Sequence, residues 1–339
     1  MFDLTSCSSR SLVTEIEWMR AAVCHKYGPP EVVAFEEVPK PTPRENEVLL
    51  KIHATSLNLS DWEMLTGTPF YTRTTWGLFK SRFKILGSDV AGRVEAVGDE
   101  VTRFKPGDEV FGDIMGSFGG FAEYACAREQ VLTLKPARMT FEDAAVLPQA
   151  GVIALRGIRD KGRLQAGQKV LINGAGGGSG TFAVQLAKSL GAEVTGVDNT
   201  GKQDFMRSNG ADHVVDYTKE DFTKNGQRYD LILDLVAQRS LFAHKRVLAP
   251  GGTYLLVGGS AKRLYQALVL GPIISMFGSS KMGLLIVGPK QKDNVRLLEL
   301  VESGTMKPII DRRFPLTGVP DALRLVGEGH ALGKVVVTM

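Results

Sequence analysis

Residues 174–180 read Gly-Ala-Gly-Gly-Gly-Ser-Gly, five glycines in seven positions, set between the apolar run Val170-Leu171-Ile172 and a helical pattern over 179–190. Glycine loses more backbone freedom on folding than any other residue, so such a loop must serve a purpose that side chains would block. A strand that ends in bare backbone and turns at once into a helix presents the first helical amides to an anion. Two registers of the dinucleotide fingerprint fit, one through Gly174, Gly176 and Ser179 and one through Ala175, Gly177 and Gly180. Either supplies a tight turn, an open backbone and a close approach of helix to strand. Ala175, Gly176, Gly177, Gly178, Ser179 and Gly180 are therefore the candidate contacts of a cofactor diphosphate.

The surroundings agree with that reading. From residue 148 onward, apolar runs at 170–172, 193–197, 213–215, 231–235, 253–257 and 283–287 alternate with helical patterns at 179–190, 201–209 and 238–248, and Gly191 closes the first helix. Such alternation describes an α/β fold of the Rossmann type, a doubly wound parallel sheet. Residues 19–147 differ: Pro39, Pro41 and Pro43 break regular elements, 48–53 alternates, and valines lie among glycines and charges, as in a small, mostly antiparallel β domain. The tail returns to that character, with helices at 293–302 and 320–326 and strands at 308–310 and 334–337. The reading is a Rossmann domain over 148–288 inserted into a mostly β domain made of 19–147 and 289–339. A chain of 339 residues exceeds what one core usually supports, so two domains are expected.

Residues 1–18 carry Asp3, Glu15 and Glu17 and no continuous apolar run, unlike a signal peptide, and are expected to form a disordered extension. A net charge of +4, from 41 basic and 37 acidic residues, gives no reason to invoke nucleic acid. Cys7, Cys24 and Cys126 suggest neither a disulfide framework nor a zinc cluster, which points to a reducing, cytoplasmic setting. The apolar segment 264–277 is interrupted by Gly271-Pro272 and falls short of the roughly 20 residues that span a bilayer. It is expected to close over the active site or to be buried at a dimer interface.

Several stretches coincide with one family. Val23 to Pro30, Gly87-Ser88-Asp89-Val90-Ala91-Gly92, the run from Gly98 to Gly112 with Pro106-Gly107-Asp108, Gly119-Gly120-Phe121-Ala122-Glu123-Tyr124, Leu147-Pro148, the glycine loop and Gly333-Lys334-Val335-Val336 resemble the quinone oxidoreductase branch of the medium-chain dehydrogenase/reductase superfamily. The resemblance covers residues 19–339. It implies a GroES-like β domain, a Rossmann domain and a cleft between them, with hydride passing from NAD(P)H to a small apolar quinone or α,β-unsaturated carbonyl substrate. It also implies a homodimer joined along the last Rossmann strand, 283–287.

At the end of the second strand, Asp198 suits a bare ribose 2′-hydroxyl, the NAD arrangement. The resemblance sets Lys202 and Tyr217 where NADPH-dependent members hold the 2′-phosphate. Two matching positions against one acid favour NADP(H) over NAD(H).

Zinc-dependent members of the superfamily take catalytic ligands from positions that correspond here to Asn58, Ser88 and the neighbourhood of Gln149, none a thiolate or imidazole. No zinc is expected. The five histidines, His25, His53, His213, His244 and His330, are scattered without metal spacing.

Asn58 stands where the resemblance puts an amide near the nicotinamide; as a turn residue it would instead bond its own backbone. Asp61 and Tyr71 are candidates to orient substrate or relay a proton. Asp61 also suits the N-cap of a helix over 62–65. Residues 68–84 combine Phe70, Tyr71, Trp76, Phe79 and Phe83 with Arg73, Lys80, Arg82 and Lys84 and no acid. They read as an aromatic lid, as a loop packed on the β domain, or as a surface for RNA or membrane. Two rival functions follow: NAD-dependent alcohol oxidation, and a non-catalytic NADPH-binding protein acting through that loop.

Overall fold

The computed structural model describes residues 16–339; residues 1–15, most of the expected extension, lie outside the described residues. Trp18 belongs to the fold instead, because it opens the first strand. Just before it, the Lys40 amide bonds the Glu17 carbonyl and the Lys40 ammonium bridges Glu17 and Glu95.

The chain runs through β1 (Trp18–Cys24), β2 (Val33–Pro39), β3 (Glu47–Ser56), helices α1 (Leu59–Thr66) and α2 (Tyr71–Trp76), then β4 (Asp89–Val97), β5 (Glu109–Asp113), β6 (Tyr124–Arg128) and β7 (Leu132–Leu134). Helices α3 (Phe141–Ala145) and α4 (Pro148–Ala154) lead into β8 (Lys169–Asn173), α5 (Gly178–Ser189), β9 (Glu193–Asp198), α6 (Gln203–Ser208) and β10 (His213–Asp216). There follow β11 (Tyr229–Asp234), α7 (Leu241–Arg246), β12 (Leu248–Leu256), α8 (Ala261–Phe277) and β13 (Lys281–Leu284). The tail holds α9 (Gln291–Glu302), β14 (Ile310–Pro315), α10 (Val319–Gly327) and β15 (Lys334–Thr338).

Six strands form a sheet in the order β10-β9-β8-β11-β12-β13, all neighbours parallel. This is the Rossmann order, whose reversal between β8 and β11 opens a crevice beyond their carboxyl ends. Alternate residues of these strands enter different cores. Val170, Ile172, Leu231 and Leu233 pack with Phe182 and Val184 on one face, and Leu171 and Ile232 pack with Leu248 and Tyr254 on the other. Burial on both faces explains why the runs are continuously apolar.

The second sheet has the order β14-β15-β3-β4-β5-β7, with β6 paired to β3. Strand β15, the last of the chain, lies antiparallel to β3 with Val336 opposite Ser56. The α/β doubly wound sheet set within a mostly β unit is thus the observed fold class.

Three local expectations need correction. The helix expected over 238–248 is only α7, because the Ser240 hydroxyl caps it at Ala243 N–H and the chain re-enters the sheet at Leu248. The last parallel strand runs over 281–284 rather than 283–287. The segment 264–277 belongs to α8, which packs on β13 and not over the cleft. Gly271 permits this approach, since a Cβ there would stand 2.6 Å from the Met282 carbonyl oxygen. Within residues 68–84, Trp76 and Phe83 pack against Phe118 at ring separations of 5.9 and 4.8 Å, while Phe70 and Phe79 are exposed.

Candidate active site

A cleft of about 650 Å³ lies between the carboxyl ends of β8 and β11 and the second sheet. The glycine loop forms one wall. Gly174 takes a left-handed conformation, with φ of +88°, and makes the sharp exit from β8. A Cβ on Gly180 would lie 2.1 Å from the Gly174 carbonyl oxygen, so the third glycine of the Ala175-Gly177-Gly180 register is what lets α5 start against the loop. A Cβ on Gly177 would meet nothing nearer than 3.5 Å and would point into free space. The initial amides of α5 have no acceptor within the helix, and the start of a twelve-residue helix faces the cleft.

Gly177, Gly178, Ser179 and Gly180 line the cleft; Ala175 and Gly176 do not. Ala175 is buried in the core beneath the loop, and the Gly176 amide donates to Asp198 Oδ2 at 3.1 Å. Those two candidates shape the loop from behind.

Asp198, Lys202 and Tyr217 gather at the far end of the cleft. Asp198 caps β9 with both oxygens engaged, Oδ2 by Gly176 N–H and Oδ1 by Asn199 N–H at 2.9 Å, and Lys202 Nζ stands 3.6 Å from Oδ1. Tyr217 is half exposed beside them, and Arg239, which the sequence reading passed over, completes this basic end.

At the near end, Asn58 is the N-cap of α1, and its side chain is tied to distant groups as well. Its Nδ2 donates to Asp89 Oδ2 at 2.9 Å, and its Oδ1 accepts from Lys334 Nζ at 2.6 Å. Lys334 also donates to the Leu57 carbonyl at 2.9 Å and stands 3.7 Å from Asp89. Asp89 further accepts from Ser56 Oγ and from the Gln149 amide. Burial draws the Asp89 carboxyl up and the Lys334 ammonium down from their ordinary ranges. The bonds run the other way, with donors converging on Asp89 and acceptors on Lys334, an arrangement that holds a charged pair. Lys334 and Asp89 were quoted in the sequence only within motifs; the available signal was a lysine opening the otherwise apolar run Val335-Val336-Val337.

Asp61 does not line the cleft. It is the third residue of α1, fully buried, with Oδ2 accepting from Asn58 N–H at 2.8 Å and Oδ1 from Gly87 N–H at 3.2 Å. The helix therefore starts at Leu59 with Asn58 as its cap, and Asp61 braces that start, so neither the substrate role nor the N-cap role falls to it. Burial pushes its carboxyl up to about 7. Asp113, at the end of β5, is pushed up to about 8 by burial and then by the Asp89 charge.

Tyr71, the first residue of α2, does face the cleft, beside Glu63 of α1. Burial and then the Glu63 carboxylate push the tyrosine up to about 12, so it keeps its proton across the neutral range. Burial raises Glu63 to about 7. Beneath the loop, Asn173 at the end of β8 is held by Nδ2 to Asp234 Oδ1 at 2.7 Å, and Tyr254 donates to the other oxygen at 2.9 Å.

The three positions that the resemblance matches to zinc ligands do converge, with Asn58 Nδ2 3.5 Å from Ser88 Oγ and Gln149 joined to Asn58 through Asp89. Their donors are two amides and a hydroxyl, and the Lys334 ammonium stands among them. The one carboxylate among them, Asp89, is already taken by Ser56, Asn58, the Gln149 amide and Lys334, and that set does not fit catalytic zinc, which takes three thiolate, imidazole or carboxylate ligands.

Family models match in two stretches: an alcohol dehydrogenase GroES-like domain over residues 44–137 and a zinc-binding dehydrogenase over 209–337. The chain is 33% identical over 315 residues to the chloroplast envelope quinone oxidoreductase homolog of Arabidopsis thaliana, covering 89% of this chain and 92% of that protein. It is 31% identical over 336 residues to the NADPH-dependent alkenal/one oxidoreductase of the same plant, covering 94% and 79%. Among solved structures, the quinone oxidoreductase from Coxiella burnetii superposes with a TM-score of 0.85 at 28% identity, covering 95% of this chain and all of that one.

Proposed function

From a chain that belongs to the medium-chain dehydrogenase/reductase superfamily, in its quinone oxidoreductase-like branch, we infer an enzyme that uses a reduced nicotinamide dinucleotide to reduce a quinone or an α,β-unsaturated carbonyl compound. The observation that carries this reading is the meeting, in one cleft, of a bare helix start with a polar cluster whose donors do not suit zinc.

When bound, the dinucleotide supplies a hydride. The chain's own residues bind and orient. The amides of Gly178, Ser179 and Gly180 receive the diphosphate, the Gly177 amide being already given to the Gly174 carbonyl, and the macrodipole of α5 favours its charge. At the adenosine end, the NADP(H) reading gains support because Asp198 is already committed to the Gly176 and Asn199 amides, while Lys202 and Tyr217 line the same space, with Arg239, which also pairs with Asp221, at its border. A cationic cluster of this kind suits a 2′-phosphate.

A zinc-independent reduction then rests on hydrogen bonding and proton supply. Tyr71 holds a proton on its hydroxyl where a substrate in the cleft would take it, and Glu63 beside it can restore that proton near neutral pH. Asn58 has both side-chain groups engaged, so its role is to fix Lys334 at the cleft wall. Two broader expectations stay with this reading: a homodimer through the open edge of β13, and a reducing compartment. Cys24 and Cys126 are free thiols, each pushed up to about 12 by burial, while Cys7 lies outside the described residues.

The test is turnover of purified protein with NADPH and a panel of quinones and 2-alkenals, followed by loss of reduced-nicotinamide absorbance. Tyr71→Phe is expected to lower kcat for enones by about 10²-fold or more, the size of a general-acid contribution. No turnover with any acceptor, with or without added zinc, would refute the reading.

A further inference from the structure

Between Asp234 and Asp293 the sequence contains no Asp or Glu. Arg239 and Arg263 in this stretch turn toward Asp221 and the Gln238 carbonyl. Lys245, Arg246, Lys262 and Lys281 are exposed and have no ion-pair partner among the described residues. Over the same stretch, α8 shows solvent an apolar stripe at helical spacing: Tyr265, Leu268, Val269, Ile273, Met276 and Phe277. Leu268 is 57% exposed, Met276 70% and Phe277 81%. Stripes of that spacing normally turn inward, so one turned outward marks a surface that meets something apolar.

The opposite side of α8 is firmly seated. Ala267, Gly271 and Ile274 are buried, and the Ser275 hydroxyl donates to the Gly271 carbonyl and accepts from Met282 N–H at 2.9 Å. The Ser280 hydroxyl bonds the Ala249 carbonyl, which brings the end of α8 toward the end of α7, where Lys245 and Arg246 stand. Basic residues thus flank the stripe at both ends, Lys262 at one and Lys245, Arg246 and Lys281 at the other.

We propose that α8, with the end of α7, is the face by which this enzyme docks on an anionic lipid membrane. An apolar helix face flanked by Lys and Arg lies in the headgroup plane, gaining from burial and from the negative surface together. No helix among the described residues is long and apolar enough to cross a membrane, which leaves lying on the surface as the mode. A second copy of the chain fits this face poorly. A two-fold contact would set the same acid-free patch against itself, basic residue facing basic residue. Nucleic acid would satisfy the charges and leave the Leu, Val, Ile and Met stripe without a partner, since base contacts favour aromatic and hydrogen-bonding side chains.

The test sediments the full chain with vesicles of phosphatidylcholine alone and of phosphatidylcholine mixed with phosphatidylglycerol. Binding is expected only to the anionic vesicles, falling as salt is raised. Neutralising Lys245, Arg246, Lys262 and Lys281 to Gln should weaken it by roughly fivefold for each charge. The set Leu268→Ser, Ile273→Ser and Phe277→Ser should abolish it with thermal unfolding and NADPH turnover intact, because the altered side chains are exposed and outside the cleft. Absence of vesicle binding overturns the proposal, as does binding that both sets leave unchanged. It is equally overturned by capture of RNA in place of vesicles, or by a wild-type dimer that Phe277→Ser splits while vesicles are ignored.

Discussion

Lys334 Nζ stands 2.6 Å from Asn58 Oδ1 across a separation of 276 residues, joining the first residue of the last strand to the cap of the first helix. The same lysine carries its stem against the glycine loop, where a Cβ on Gly178 would meet Lys334 Cδ at 2.8 Å. One side chain therefore links the start of α5 to the polar cluster around Asp89.

Lys334→Met removes the cation and leaves the Asp89 charge buried without a partner. Breaking a buried pair in this way costs roughly 3–5 kcal/mol. Chemical denaturation should show a lower midpoint with an unchanged slope. The double variant Lys334→Met with Asp89→Asn should recover much of the loss, and equal stability of the single and double variants would contradict the pairing.

Two glycines of the loop should respond in opposite ways. Gly180→Ala puts a methyl against the Gly174 carbonyl and should lower stability, read as a fall in Tm. Gly177→Ala, at φ −92° and ψ −177°, fits the backbone and should leave Tm alone. Its methyl enters the space assigned to the diphosphate, so the Kd for NADPH should rise by about tenfold or more, about 1.4 kcal/mol. Isothermal titration of both variants checks the pair.

Lys202→Ala tests the adenosine end. A charge-assisted bond to phosphate contributes about 1.5–3 kcal/mol, so NADPH should bind roughly 10- to 150-fold more weakly while NADH affinity holds. Equal weakening for both cofactors would assign Lys202 to bracing Asp198 and nothing more.

Asp113 predicts a pH dependence of stability. Its carboxyl is raised from 3.8 to about 8 by burial and by the Asp89 and Asp61 charges, with Met115 N–H and Gln149 as opposing hydrogen-bond donors. A carboxyl raised in the folded state binds its proton more tightly there than in the unfolded chain. Stability from this group is therefore greatest near pH 4 and declines as pH rises through about 8. Asp113→Asn should flatten that decline and make the protein more stable than wild type at pH 9. A parallel pair of stability curves would show that Asp113 is ionised when folded.

The parallel sheet was legible because its central strands β8, β11 and β12 are buried on both faces, leaving continuous apolar runs, and because Gly174 and Gly180 mark a sharp turn at which a Cβ would be crowded. Asp61 misled because a carboxylate three residues into a helix looks the same whether it faces a cleft or folds back on Asn58 N–H. The Lys334 to Asp89 pair was hidden for a different reason: its members lie 245 residues apart, since 334 minus 89 is 245, and only the pairing of β15 with β3 and β3 with β4 brings them together. The outward stripe of α8 could not be told from a core-facing one, because periodicity gives the face of a helix and not which way it is turned.

Reduction by a bound nicotinamide without a metal is the central chemical step proposed for this enzyme. The direct measurement is single-turnover transfer of deuterium from NADPH labelled at nicotinamide C4 to a 2-alkenal, using protein dialysed against chelator. Label is expected at the alkenal β-carbon, at a rate that added zinc does not change. Transfer that appears only when zinc is restored, or saturating NADPH that leaves the alkenal and every quinone unlabelled and unreduced, would contradict it.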